Sequence, residues 1–148
     1  MTSRNTSTRA AAATGDRAPH FAPDRLACWI GGHFGSSFSI ALDGDELVHE
    51  ESEQGVPVST KRTTPTDDQW RRFDTALEKA GAWTWAGDYS PPYLVMDGTS
   101  WSITILRDGR LLQAHGSNGY PPIGEGDTEG PFGRFCTALE RLAGGQFR

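Results

Sequence analysis

The stretch of sequence that decides the fold is WSITILRDGRLLQAH, residues 101–115. Apolar residues (Trp101, Ile103 and Ile105) alternate with small polar ones along its first half. This period of two is typical of a strand with one buried face. Asp108-Gly109 then supplies a turn dipeptide that adopts positive φ and joins adjacent antiparallel strands. The stretch therefore predicts a β-hairpin whose apolar face must be covered by a second layer.

Further strands are predicted upstream, where apolar runs and turn residues follow one another at short intervals. Asp43-Gly44 is a second turn dipeptide and joins two of these strands as another hairpin. Residues 56–60 are expected to add only an edge strand, because Pro57 cannot donate to a central ladder. The three central strands are predicted over residues 26–30, 36–42 and 46–52.

Two amphipathic helices are predicted, one on each side of the 101–115 hairpin. The first has Thr64 as its N-cap and Pro65 at its first position, and it ends at Gly81. The second begins at Pro131 and ends at Gly144-Gly145. Apolar residues recur in both at spacings of three and four, which places them on one face. They are Trp70, Phe73, Leu77 and Ala80 in the first helix, and Phe132, Phe135, Cys136, Leu139 and Leu142 in the second.

The order of these elements predicts an α+β fold. We expect a two-layer domain with an antiparallel sheet of about five strands, in the order βββ-α-ββ-α, covered by two helices. A chain of 148 residues can build one ordinary hydrophobic core but not two. We therefore expect residues 25–148 to form a single domain, preceded by a flexible N-terminal segment at residues 1–24.

Charge and hydropathy exclude several classes of protein. The net charge of −5 argues against direct nucleic-acid binding, which needs a basic face. The sequence contains no apolar run near the roughly 18 residues of a membrane span, and no apolar signal core, so we expect a cytoplasmic protein. Cys28 and Cys136 are expected to be reduced, buried thiols, with a single bridge between sheet and helix as the alternative.

The second half of the chain resembles a family of small bacterial proteins of unknown function. The residues that carry the resemblance are Trp83-Thr84-Trp85, Tyr89, Asp97-Gly98, Trp101 and the loop Gly116-Ser117-Asn118-Gly119-Tyr120-Pro121. The similarity covers about residues 66–143 and implies a shared fold, without an activity that can be transferred. A fainter similarity, at Gly32-His33-Phe34-Gly35, is to a family with cysteines where this chain has His33 and Ser37, so it implies no cysteine chemistry here.

The patterns of common catalytic and metal sites are missing from the sequence. His33, His49 and His115 lack the spacing of a zinc site, and we expect them to be exposed strand residues. Serine lies beside glycine at 36–37 and 117, but neither place has the strand–turn–helix pattern of a nucleophile elbow. We therefore expect no metal and no cofactor, and the sequence favours a protein that is not an enzyme.

An aromatic set is the most informative feature for function. Its members come from loops and strand ends, where binding residues are often placed on a rigid scaffold. They can pack the open end of the core, or they can form a binding patch, since tyrosine and tryptophan dominate interfaces. The candidate partner- or ligand-binding residues are Trp85, Tyr89, Tyr93, Asp97, Trp101, Asn118 and Tyr120. Beside them, residues 116–133 hold six glycines and three prolines, which predicts one long loop.

Three functions follow from these features. The leading hypothesis is a non-catalytic domain that binds another protein, such as an immunity-like inhibitor or an accessory protein of phage defence or anti-defence. The alternative is a small-ligand pocket walled by Trp85, Trp101 and Tyr120, with Asp97 and Asn118 as polar anchors. The third is a small hydrolase that uses His33 or His115 as a general base.

Overall fold

A computed structural model of the chain describes residues 21–32, 35–91, 98–121, 124–125 and 130–148. Eight strands and two α-helices occur in these ranges, and a short 3₁₀ turn at Ala82–Thr84 follows the first helix. The strands are β1 (Arg25–Gly32), β2 (Ser36–Asp43), β3 (Glu46–Glu53), β4 (Val56–Thr63), β5 (Thr99–Arg107), β6 (Arg110–Ser117), β7 (Gly119–Tyr120) and β8 (Gly124–Glu125). The helices are α1 (Asp67–Ala80) and α2 (Pro131–Ala143).

Six of the strands form one antiparallel sheet in the order β4-β3-β2-β1-β5-β6. The α+β fold with two covering helices is therefore confirmed. The sheet has six strands rather than about five, because the edge strand predicted at 56–60 extends to Thr63 and precedes the first helix as β4. Its outermost position agrees with the argument from Pro57.

The register of the sheet gathers its apolar residues on one face. Cys28 lies opposite Ile40 on β2 and opposite Ile103 on β5, and all three are buried beneath the helices. The other face is open to solvent. At its centre, Trp29 lies between Ser39 and Ser102 and keeps 40% of its surface exposed.

Helix α1 buries the predicted stripe of Trp70, Phe73, Leu77 and Ala80. Its N-terminus differs from the prediction, because the N-cap is Thr66 rather than Thr64. The Thr66 hydroxyl accepts a hydrogen bond from the Gln69 amide, and the Gln69 side chain accepts one from the Thr66 amide. The helix therefore begins at Asp67, directly after the Thr66 of this reciprocal capping box, and not at Pro65.

Two of the tight turns have positive φ at both central residues. The predicted turn between β5 and β6 is confirmed, with φ of 50° at Asp108 and 77° at Gly109. Gln54 and Gly55 make a turn of the same kind between β3 and β4, with φ of 51° and 80°. The sequence analysis did not identify this turn, because glutamine is rarely found in the left-handed region.

The chain after α2 folds back onto the sheet. Phe147 is fully buried, and its amide donates to Glu140 Oε2 at 2.9 Å. His49 Nε2 donates to the Gln146 carbonyl oxygen at 2.5 Å. His49 is thus a buried residue that holds the C-terminal tail, and the prediction of an exposed strand histidine is wrong at this position.

The two cysteines are buried and free, as the preferred interpretation predicted. Burial raises the pKa of the Cys28 thiol far above its usual range, and it raises that of Cys136 to about 12. Both groups therefore stay protonated at neutral pH and pack as small apolar side chains.

The long loop predicted over 116–133 contains some regular structure. Strand β6 continues to Ser117, and β7 pairs with β8 in a small two-stranded ribbon. Residues 1–20 of the predicted flexible segment lie outside the described residues. From Phe21 onward the chain is bonded to β5, through Asp24 to the Leu106 carbonyl and through the Phe21 carbonyl to Arg107.

Candidate functional site

The structure describes five of the seven predicted site residues, while Tyr93 and Asp97 lie outside the described residues. Trp101 is on β5, Asn118 follows β6, and Tyr120 is on β7. Trp85 follows the 3₁₀ turn, and Tyr89 is fixed beside β6 because its amide donates to the His115 carbonyl oxygen at 2.8 Å. The aromatic members converge at one end of the sheet, against α2.

These aromatic rings form a packed cluster that closes the core. Trp101 and Tyr120 stack with centroids 6.4 Å apart, and Phe132 contacts them at 4.7 and 4.9 Å. Trp101 is 1% exposed and Tyr120 is 8% exposed. Trp85 and Tyr89 border the cluster and are half-buried. We call the six rings the aromatic cluster: Trp85, Tyr89, Trp101, Tyr120, Phe132 and Phe135.

The polar groups of this region serve the fold. The Trp101 indole N–H donates to the Gly119 carbonyl oxygen at 2.8 Å. Asn118 Oδ1 accepts from the Thr99 amide at 2.8 Å, which joins the ends of β5 and β6. The Tyr89 hydroxyl accepts from the Ala86 amide at 2.9 Å. These groups hold loops and strand ends together.

One histidine lies beside a carboxylate on the surface. His115 Nε2 is 3.6 Å from Asp88 Oδ1, and Ser102 occupies the opposite position on β5. Both members of the pair are more than half exposed. The third candidate histidine, His33, is outside the described residues. Within the described ranges, no group of three metal-ligating side chains converges.

A groove between α1 and α2 is the concave feature that the sequence analysis missed. Two adjoining cavities of about 250 and 300 Å³ share Ala76, Ala138 and Arg141. The start of α1 lies beside the end of α2 in one cavity, and Lys79 lies beside Arg134 in the other, so the helices run antiparallel. We call this feature the helix groove. It is lined by Gln69, Arg72, Phe73, Ala76 and Lys79 from α1, by Gly133, Arg134, Thr137, Ala138, Arg141 and Leu142 from α2, and by Arg148.

The rims of the helix groove are basic although the whole chain is acidic. The guanidinium groups of Arg134 and Arg141 make no ion pair or hydrogen bond with any residue that the structure describes. Arg72 is bound to Asp68 at 3.0 Å, with three-quarters of its side chain exposed. None of the residues that line the groove carries an acidic side chain.

Three acidic side chains of the two helices point away from the groove cations. Asp74 pairs with Arg107 at 3.1 Å, and Glu78 pairs with Arg110 at 2.7 Å, so both bind the sheet. Glu140 accepts the amide of Phe147. Arg72 is thus the rim cation that is paired with an acid of its own helix, while Asp74, Glu78 and Glu140 leave Arg134 and Arg141 unpaired.

The sequence carried a signal for this groove. Arg72 and Lys79 are seven residues apart on α1, and Arg134 and Arg141 are seven apart on α2. Seven residues are two helical turns, so each pair lies on one side of its helix. The spacing alone does not reveal the groove, because the groove forms only where α1 and α2 pack against each other.

In comparisons with known proteins, no protein-family model matches the chain, and no curated protein matches it. The resemblance drawn from residues 66–143 therefore stays a prediction. Neither described helix is long and apolar enough to cross a membrane.

Proposed function

We propose that this chain is a non-catalytic protein-binding domain and that the helix groove is its binding surface. The observation that carries the proposal is that Arg134 and Arg141 line an apolar-floored groove without an acidic partner among the described residues. Arginine next to apolar surface is enriched at protein interfaces, where it supplies both packing and directional hydrogen bonds.

The proposed partner is another protein that presents an acidic surface. Complementary charge speeds encounter and disfavours wrong partners. An inhibitor of the immunity type, or an accessory protein of phage defence or anti-defence, is the kind of binding domain that we propose. The groove adds to that proposal by specifying the sign of the partner's charge.

The alternative of a small-ligand pocket has less support. Its proposed walls, Trp101 and Tyr120, contact Phe132 directly and are buried in the core. Asn118, its described polar anchor, is bonded to the backbone of β5. Among the described aromatic residues of the predicted site, Trp85 and Tyr89 retain exposed surface that a ligand can contact.

One observation favours the histidine-base alternative, namely the His115–Asp88 pair of 3.6 Å beside Ser102. A carboxylate that orients a histidine is part of many hydrolytic sites. Here the pair is exposed on the open face of the sheet, where water screens the electrostatic effects that catalysis depends on. The pair therefore supports a hydrolase less strongly than the groove supports binding.

The experiment is quantitative affinity capture from a lysate of the native host, with wild-type protein and two double variants. R134E/R141E reverses the groove charge, while R25E/R62E makes the same change in net charge on β1 and β4. We expect wild type and R25E/R62E to retain the same partner and R134E/R141E to lose it. Retention by all three proteins, or no partner for wild type at micromolar concentration, would contradict the proposal.

A further inference from the structure

The helix groove has the geometry of a binding site for a third helix. We propose that its occupant is an acidic amphipathic helix of a partner protein, with apolar residues on one face and carboxylates two turns apart on both sides of that face. This inference rests on the proposed function and names the chemistry of the partner segment.

The floor of the groove is apolar and made of small residues at its centre. Ala76 and Ala138 lie where the two cavities meet, and Phe73 and Leu142 continue the floor at the end where α1 begins. Alanines between two helices leave a depression that larger side chains from a third helix can fill. Interdigitation of this kind is how helices pack when small and large residues face each other.

The cations lie along both sides of that floor at matching intervals. Arg72 and Lys79 are separated by two turns of α1, and Arg134 and Arg141 by two turns of α2, about 10 Å in each case. Because the helices are antiparallel, Arg72 lies across the groove from Arg141, and Lys79 lies across from Arg134. The four charges mark the corners of a site two turns long.

A helix with a heptad repeat matches these four corners. Leucines at its a and d positions would enter the depression at Ala76 and Ala138, and glutamates at e and g would reach the basic rims. Successive e or g positions are seven residues apart, which is the spacing of the cations on each rim. Packing of leucine against alanine and the flanking ion pairs would both stabilise the bound helix.

A nucleic acid fits the same surface less well. The only aromatic residue in the groove lining is Phe73, which is 3% exposed and offers no ring for base stacking. A short acidic helix meets the local positive charge and contacts the apolar floor as well.

The probe for this inference is a fluorescein-labelled peptide of 21 residues with Leu at a and d, Glu at e and g, and Ala or Gln elsewhere. This length allows a helix to form, and the repulsion between its glutamates keeps the peptide monomeric. Fluorescence anisotropy at about 50 mM salt compares it with a scrambled peptide of the same composition and with a labelled single-stranded DNA of 15 nucleotides.

We expect the heptad peptide to bind wild type and R25E/R62E with equal affinity, and to bind R134E/R141E at least about tenfold more weakly. Ala76→Leu, which fills the depression without changing charge, should also weaken binding severalfold. Circular dichroism and the Tm of each variant establish that it is folded.

Three results would overturn the inference: equal binding of the scrambled peptide, equal binding by R134E/R141E, or tighter binding of the DNA. If the lysate experiment shows groove-dependent capture while the heptad peptide does not bind, the acidic helix is wrong and the proposed function stands. If capture is independent of the groove as well, both fail.

Discussion

Asp74 of α1 and Arg107 of β5 form an ion pair in which Oδ2 and Nη2 are 3.1 Å apart, and the two side chains are only 13% and 15% exposed. The pair is not a hydrogen bond, because its angles are unfavourable. Asp74 Oδ2 has no hydrogen-bond partner among the described atoms. The pair joins a helix to the sheet across the interface of the two layers. Its attraction is weaker than the cost of burying the carboxylate, and the pKa of Asp74 is raised to about 6.

The burial of the Asp74 carboxylate should make the free energy of unfolding depend on pH. Because the folded state binds the Asp74 proton more tightly than the unfolded state, this group stabilises the fold most at pH below about 3.8, and that contribution is lost as pH rises through about 6. We expect the free energy of unfolding of D74N, relative to wild type, to rise across this window by at most about 1.4 kcal/mol per pH unit. Urea unfolding at several pH values measures the difference, and parallel pH profiles would show that Asp74 has an ordinary pKa.

Trp101→Phe should destabilise the protein by about 1–3 kcal/mol, because the Gly119 carbonyl oxygen loses its buried donor. The matched control is Trp29→Phe on the open face of the sheet, where the same substitution should change stability by less than about 0.5 kcal/mol. Urea unfolding provides both values. Equal effects of the two substitutions would mean that the indole hydrogen bond is not stabilising.

Phe147→Ala should cost about 3–5 kcal/mol, since the ring is fully buried near the C-terminus. Gln146→Ala is the control. It retains the carbonyl oxygen that His49 binds and removes only an exposed side chain. A small effect of Phe147→Ala on the Tm would show that the C-terminal tail does not belong to the cooperative fold.

The two thiols should not react with a disulfide reagent at pH 8 while the protein is folded. Burial raises both pKa values, that of Cys136 to about 12, so the thiolate population is negligible and the reagent has no access. Two thiols per chain should react after denaturation. Ser102→Cys places a thiol on the exposed face as a positive control, and rapid labelling of the wild type would contradict the buried positions.

Local patterns in the sequence were sufficient to predict most of the elements. The alternation around Trp101 predicted β5, Asp108-Gly109 predicted its turn, and the apolar stripe from Trp70 to Ala80 predicted the buried face of α1. These signals depend on residues within one or two turns of each other, so they can be read without tertiary contacts. The N-cap at Thr66 could also have been found, because Gln69 stands three residues later.

The arrangement of the elements could not be predicted in the same way. Strand β1 pairs with β5 across more than sixty residues, and the burial of His49 depends on a tail almost one hundred residues away. The helix groove exists because α1 and α2 pack antiparallel and bring Arg72 near Arg141. Local patterns do not show which elements pack together, so the sequence directed attention to the aromatic residues, of which Trp101 and Tyr120 are buried in the core.

The most direct test of the central claim compares partner capture by wild type, R134E/R141E and R25E/R62E under the same salt conditions. The structure predicts that a partner held by wild type and by R25E/R62E is lost from R134E/R141E, because only that variant reverses the charge of the helix groove. A partner retained equally by R134E/R141E would contradict the groove as the binding surface.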